Sequence, residues 1–155
     1  MEIEFRIYTD NDKPDVLEMM EAFNKIDGYD FDFAVGAKNL LDFTSNEMLG
    51  RLYLITHGEE NIGYIVLSFG FSFEYNGRDA FIDELYIKQP FRSKGIGKLA
   101  MDFVESESKK LNINAVHLEV EPHNSNANQL YRSKGYQPNG RTLLTKQITA
   151  TLAND

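Results

Sequence analysis

The chain has 155 residues, 42% of them hydrophobic, and a formal net charge of −8 from 24 acidic and 16 basic side chains. That length suits one domain, residues 1–155, with a substantial core, and the acidic balance argues against a nucleic-acid partner. The absence of cysteine excludes a disulfide framework, a zinc–thiolate site and a cysteine nucleophile.

In chain order, IEFRIY (3–8) alternates as a strand does. From Asp12 to Ile26, Val16, Leu17, Met20 and Phe23 recur at helical spacing, with Pro14 early, where a helix accepts it. GYDFDF (28–33) reads as a loop of alternating aromatics and acids, and 37–43 as a short helix. RLYLITH (51–57), IGYIVLSFGFSFEY (62–75) and DAFIDELYI (79–87) read as strands, with Asn76–Gly77 as a hairpin turn. Ile96, Leu99, Ala100, Phe103, Val104 and Leu111 form one helical stripe. AVHLEVE (115–121) reads as a strand, and Asn124 to Lys134 as a helix stopped by Gly135. Gly135–Tyr136 and TLLTKQI (142–148) are expected to close the sheet. The expected fold is α/β, in α+β layers: a mixed, mostly antiparallel central sheet flanked by helices. No apolar run reaches the length of a membrane span and the start is acidic, so no membrane partner is expected and the expected compartment is the cytoplasm.

Charge is unevenly divided. Residues 1–90 hold 18 acids and 7 bases, while residues 91–155 hold 6 acids and 9 bases. Such a division suits a front half that meets a cation and a back half that meets an anion. The sharpest local signal is FRSKGIGKLAM (91–101), two glycines among three basic residues at the start of a helix. A helix N-terminus presents unpaired N–H groups and a positive dipole end, and glycine lets a phosphate approach the backbone. A Walker loop fails here, because Arg92 and Leu99 stand where it needs Gly and Ser/Thr. The dinucleotide fingerprint matches as Gly95, Gly97 and Ala100, with Glu119 near its acidic position. That fingerprint follows its strand directly, however, and here KQPFRSK intervenes.

A third pattern, R/Q-x-x-G-x-G/A, falls on Arg92, Gly95 and Gly97 after a strand ending ELYI. It is followed by N-x6-Y-x3-G-[FY] on Asn124, Tyr131, Gly135 and Tyr136. With both motifs in this order, residues 3–148 resemble the GNAT superfamily of N-acetyltransferases, with a flavour of the small polyamine and diamine enzymes. The resemblance implies a sheet splayed between 79–87 and 115–121, with acetyl-CoA in the gap. It implies that backbone N–H groups among Ser93, Lys94, Gly95, Ile96, Gly97 and Lys98, with Arg92 nearby, grip the pyrophosphate. Leu85, Tyr86 and Ile87 would bond the pantetheine arm, Leu85 N–H would face the thioester carbonyl, and Asn124 would contact the arm. Tyr131 would protonate the departing thiolate and also touch the cofactor.

Attack by an amine needs a base, since an alkylammonium with a pKa of about 10.4 is almost wholly protonated at pH 7. Glu84, Asp83 and Glu119 are the candidates, acting directly or through water. Asp83 and Glu84 are adjacent on one strand, so alternation sends them to opposite faces. For the acceptor, Asp27, Tyr29, Asp30, Asp83, His117 and Glu119 are candidate contacts, acids and aromatics that suit a cationic amine. A protein amine and a non-catalytic acyl-CoA-binding module are the alternative readings. No metal spacing is present, His123 borders the expected pocket, and residues 141–148 are expected to pair across a homodimer.

Overall fold

The structure, a computed structural model, describes residues 1–149; the last six residues of the expected domain lie outside the described residues. Five strands, β1 (Glu4–Ile7), β2 (Gly50–His57), β3 (Glu60–Ser72), β4 (Gly77–Ile87) and β5 (Ala115–His117), form one sheet in the order β1-β2-β3-β4-β5. The first four pair antiparallel and β5 joins β4 in parallel. Helices α1 (Lys13–Ile26), α2 (Phe33–Thr44), α3 (Ile96–Lys110) and α4 (Ser125–Ser133) cover the sheet.

Alternation along the strands divides the core into two layers. On one face Tyr53, Ile55, Ile65, Leu67 and Ile82 meet Ile96, Ala100, Met101 and Val104 of α3. On the other, Leu52, Leu54, Tyr64, Val66 and Tyr86 meet Val16, Leu17 and Met19 of α1 and Leu40 of α2. β1 is fixed to α1 by polar contacts as well. The Arg6 guanidinium donates to Asp12 Oδ1 at 2.7 Å and Oδ2 at 2.8 Å, and to Asn61 Oδ1 of β3 at 3.0 Å.

Four expectations are corrected. The strand at 115–121 pairs only from Ala115 to His117. The second helix starts at Phe33 because Asp32 caps it, its Oδ1 accepting from Ala34 and Val35 N–H at 2.9 and 3.1 Å. Residues 142–148 form no strand, and Leu143, Leu144 and Ile148 stay exposed. Leu143 and Leu144 are adjacent, so a strand there would turn them to opposite faces, and Lys146 interrupts the face shared by Leu144 and Ile148. Gly135–Tyr136 closes no sheet either. Tyr136 packs on the α3 layer beside Tyr131, ring centroids 6.3 Å apart.

Candidate active site

The sheet opens where β5 ends. The β4–β5 register stops at Phe81↔His117, while β4 runs on to Ile87. Its far edge from Ile82 onward therefore faces a gap. At the end of β4 the chain makes a short 3-10 turn, Gln89–Phe91, and enters α3 through Ser93 and Gly95, both in the left-handed region at φ 60° and 80°. No side chain caps α3, so the N–H groups of its first turn are left for a ligand. The two glycines meet different demands. A Cβ at Gly95 would touch nothing, and only its φ favours glycine; a Cβ at Gly97 would lie 3.1 Å from Leu130 Cδ2 of α4. Gly95→Ala is therefore expected to destabilise the fold by about 1 kcal/mol through backbone strain. Gly97→Ala should act instead by making the Leu130 side chain of α4 shift by a few tenths of an ångström. Thermal unfolding of each variant, with and without coenzyme A, checks both.

The basic side chains differ too. Arg92 Nε donates to Ile87 O at 2.7 Å and its guanidinium lies 5.5 Å from the Tyr86 ring centroid, so Arg92 braces the turn against β4. Lys94 lies 5.7 Å from the Phe91 ring centroid, and Lys98 is exposed. Asn124 N-caps α4, its Oδ1 accepting from Ala127 N–H at 3.2 Å. That helix carries Tyr131, half-buried, its phenol pushed up by burial.

Across the sheet lies a cleft of about 510 Å³ between β3, β4, α1 and α2. Asp30, Asp32, Asp83, Glu84, Asn24, Asn39 and Ser68 give its polar lining, with Met20, Phe31 and Leu40 among its apolar walls. Asp83 and Glu84 both reach it, contrary to simple alternation. Val66 pairs with Glu84 and Leu67 with Ile82, leaving Asp83 unopposed as a β-bulge. The extra residue brings two adjacent carboxylates to one cleft.

Glu84 is half-buried, and Tyr64 Oη donates to its Oε1 at 2.7 Å. Burial pushes the Glu84 carboxyl up, the Tyr64 hydrogen bond draws it down, and the Asp83 charge pushes it up again, for a net rise. A carboxylate of raised proton affinity is suited to general-base work near neutrality.

The structure gathers Asp30, Asp83 and Glu84 in this cleft and leaves other expected residues outside it. Asp27 and Tyr29 are exposed, Tyr29 at 68%, and neither is in the lining. His117 Nε2 lies 3.0 Å from Asp79 Oδ2, and the ring sits beside those of Tyr75 and Phe81. Glu119 is exposed, two residues beyond the end of β5. Asp32, an acid of the loop that holds Asp27 and Asp30, lines the cleft too, whereas reading the sequence missed Tyr64, Asn24, Asn39 and Ser68. Tyr64 carried a signal: a tyrosine inside an otherwise apolar strand needs a partner for its hydroxyl. Among the described residues, no group of three or more His, Asp or Glu is placed to hold a metal ion, and no helix is long and apolar enough to cross a membrane.

Residues 16–136 match the Acetyltransferase (GNAT) family. An uncharacterized N-acetyltransferase, YycN, of Bacillus subtilis (strain 168) is 31% identical over 64 residues, which span 41% of this chain and 41% of that protein. Among solved structures, the integron cassette protein HFX_CASS3 from the mobile metagenome of Cole Harbour Salt Marsh superposes with a TM-score of 0.84 at 28% identity, covering 94% of this chain and 90% of its own. A predicted acetyltransferase from Clostridium acetobutylicum, solved with acetyl-CoA, has the same fold with a TM-score of 0.77 at 16% identity, covering 94% of this chain and 96% of its own. The gap beyond β5, the glycine turn into α3 and the match over residues 16–136 lead to one assignment: the chain belongs to the GNAT family of acetyltransferases.

Proposed function

We propose that the protein moves an acetyl group from acetyl-CoA to a primary amine on a small cationic molecule. The observation that carries this reading is the bulge at Asp83, which brings Asp83 and Glu84 together in a cleft that also holds Asp30 and Asp32. Four carboxylates around one cleft favour an ammonium and disfavour an anionic acceptor.

In this reading acetyl-CoA binds along the free edge of β4, its pyrophosphate on the N–H groups from Ser93 to Lys98. Glu84, directly or through water, takes a proton from the ammonium. The amine nitrogen then attacks the thioester carbon, the C–S bond breaks, and the Tyr131 hydroxyl protonates the leaving thiolate. Leu85 N–H faces the developing oxyanion. The kinship with a structure solved with acetyl-CoA supports the choice of donor.

Thermal unfolding with saturating acetyl-CoA, beside NAD and ATP, is the first test. At one hundred times the dissociation constant, a ligand adds about 2.7 kcal/mol of stability, a rise of roughly 5–10 °C at this size. A shift with acetyl-CoA alone is the expected result. A shift with NAD alone would overturn the reading. Thiol release with spermidine, kanamycin and a lysine-ending peptide then separates small-molecule from protein acceptors.

A further inference from the structure

We propose that Tyr64 is a positioning residue for the acetyl-transfer base: its hydroxyl fixes the Glu84 carboxylate in one orientation and favours its charged form at the acceptor cleft. The proposal rests on the reading of Glu84 as base. Tyr64 is wholly buried, in the layer where α1 packs on the sheet, with the rings of Phe23 and Tyr86 6.5 and 5.9 Å from its own. It pairs with Tyr86, and Val66 pairs with Glu84, so Tyr64 and Glu84 are diagonal neighbours on the same face. Phenylalanine would supply the same apolar ring. What the tyrosine adds is a hydroxyl that reaches the edge of the core and donates to Glu84 Oε1 at 2.7 Å.

Of the other carboxylates that line the cleft, Asp83 acts against the Glu84 charge. Asp83 adjoins Glu84 on β4, and Asp30 and Asp32 line the same cleft from the link between α1 and α2. Asn24 of α1 and Asn39 of α2 do not titrate, and Tyr86 packs behind Glu84 on β4. Among these, Tyr64 is the one with a hydrogen bond to the carboxylate in the structure. A donor bonded to a carboxylate stabilises the charged form, so its removal raises the pKa of the base.

The test is the pH profile of kcat/KM for wild type, Y64F and E84Q, using acetyl-CoA with spermidine and kanamycin. Y64F is expected to move the acidic limb up by about one pH unit, the size of a charged hydrogen bond. Its plateau at high pH should stay within a few-fold of wild type, and its affinity for acetyl-CoA should not change. A uniformly lower rate with an unmoved limb would overturn the proposal and leave Tyr64 as core packing. An E84Q variant as active as wild type would overturn the base reading, and this proposal with it. If wild type turns over neither amine, a carbon-13 titration of the Glu84 carboxyl in wild type and Y64F still decides whether Tyr64 holds the charge. An upward shift in Y64F supports that role, and no shift overturns it.

Discussion

Tyr131→Phe is expected to lower kcat by about 100- to 1,000-fold while leaving acetyl-CoA affinity and the melting temperature close to wild type. Burial is the only influence on the Tyr131 phenol in the structure, with no hydrogen-bonded or charged partner among the described residues. Removing the oxygen therefore leaves no protein group unsatisfied, and the ring still packs beside Tyr136 and on the α3 layer. A loss of rate then reports on proton delivery rather than on folding. Because burial holds the phenol above its ordinary value near 10, it stays protonated through neutral pH. A falling alkaline limb below about pH 9 would therefore have to come from another group. Steady-state kinetics beside isothermal titration with acetyl-CoA checks the pair of expectations. Turnover unchanged by the substitution would favour the non-catalytic reading of the fold.

Asp12→Ala should be the most costly single change to stability outside the apolar core, about 2–3 kcal/mol or roughly 5–10 °C in Tm. Asp12 is 6% exposed. Besides the two bonds from Arg6 it accepts from Thr9 N–H at 2.8 Å and Thr9 Oγ1 at 3.1 Å. Asn61, which accepts from Arg6, also donates to Asp15 Oδ2 at 2.8 Å, so the cluster ties β1, β3 and the start of α1 together. The Arg6 hydrogen bond holds the Asp12 carboxyl well below the usual carboxylate range, against burial, which opposes it, and with help from Thr9. The sign follows from linkage. A depressed pKa contributes stability that is complete above the unfolded value, about 3.9, and is lost as pH falls from there through the folded value. Thermal unfolding between about pH 2 and 6 should show this loss in wild type and a flatter profile in Asp12→Ala.

Much of the framework was legible in the residues. Helical stripes such as Val16, Leu17 and Met20, or Ile96, Ala100 and Val104, have one stable solution on a sheet. Gly95 and Gly97 ahead of such a stripe announced a turn with exposed N–H groups. The bulge was not legible: Asp83 and Glu84 are adjacent on the strand, which by alternation would part them, and the slip that brings them together exists only in the register with β3, which is a long-range pairing. That slip decides where Asp83 points. The cleft was hidden for a related reason. Asn24, Asn39 and Ser68 belong to α1, α2 and β3, and no local pattern marks residues that meet only after packing. TLLTKQI misled because strand-forming residues do not make a strand without an apolar surface to cover.

The shortness of β5 has a mechanical consequence. β1 to β4 pair antiparallel without a break, but β5 is joined to them through three paired residues. The helix that carries Tyr131 leans on α3 through Leu130 at Gly97 and through the ion pair of Lys134 with Asp102. Tyr131, the proton donor of the proposed mechanism, thus stands on a thinly attached flank, while the carboxylates Asp83 and Glu84 stand on β4, paired along its length with β3. A pantetheine chain in the wedge would bridge the two like a missing strand. Loading of the donor would then clamp the flank before an amine arrives, which favours an ordered sequence of binding with acetyl-CoA first.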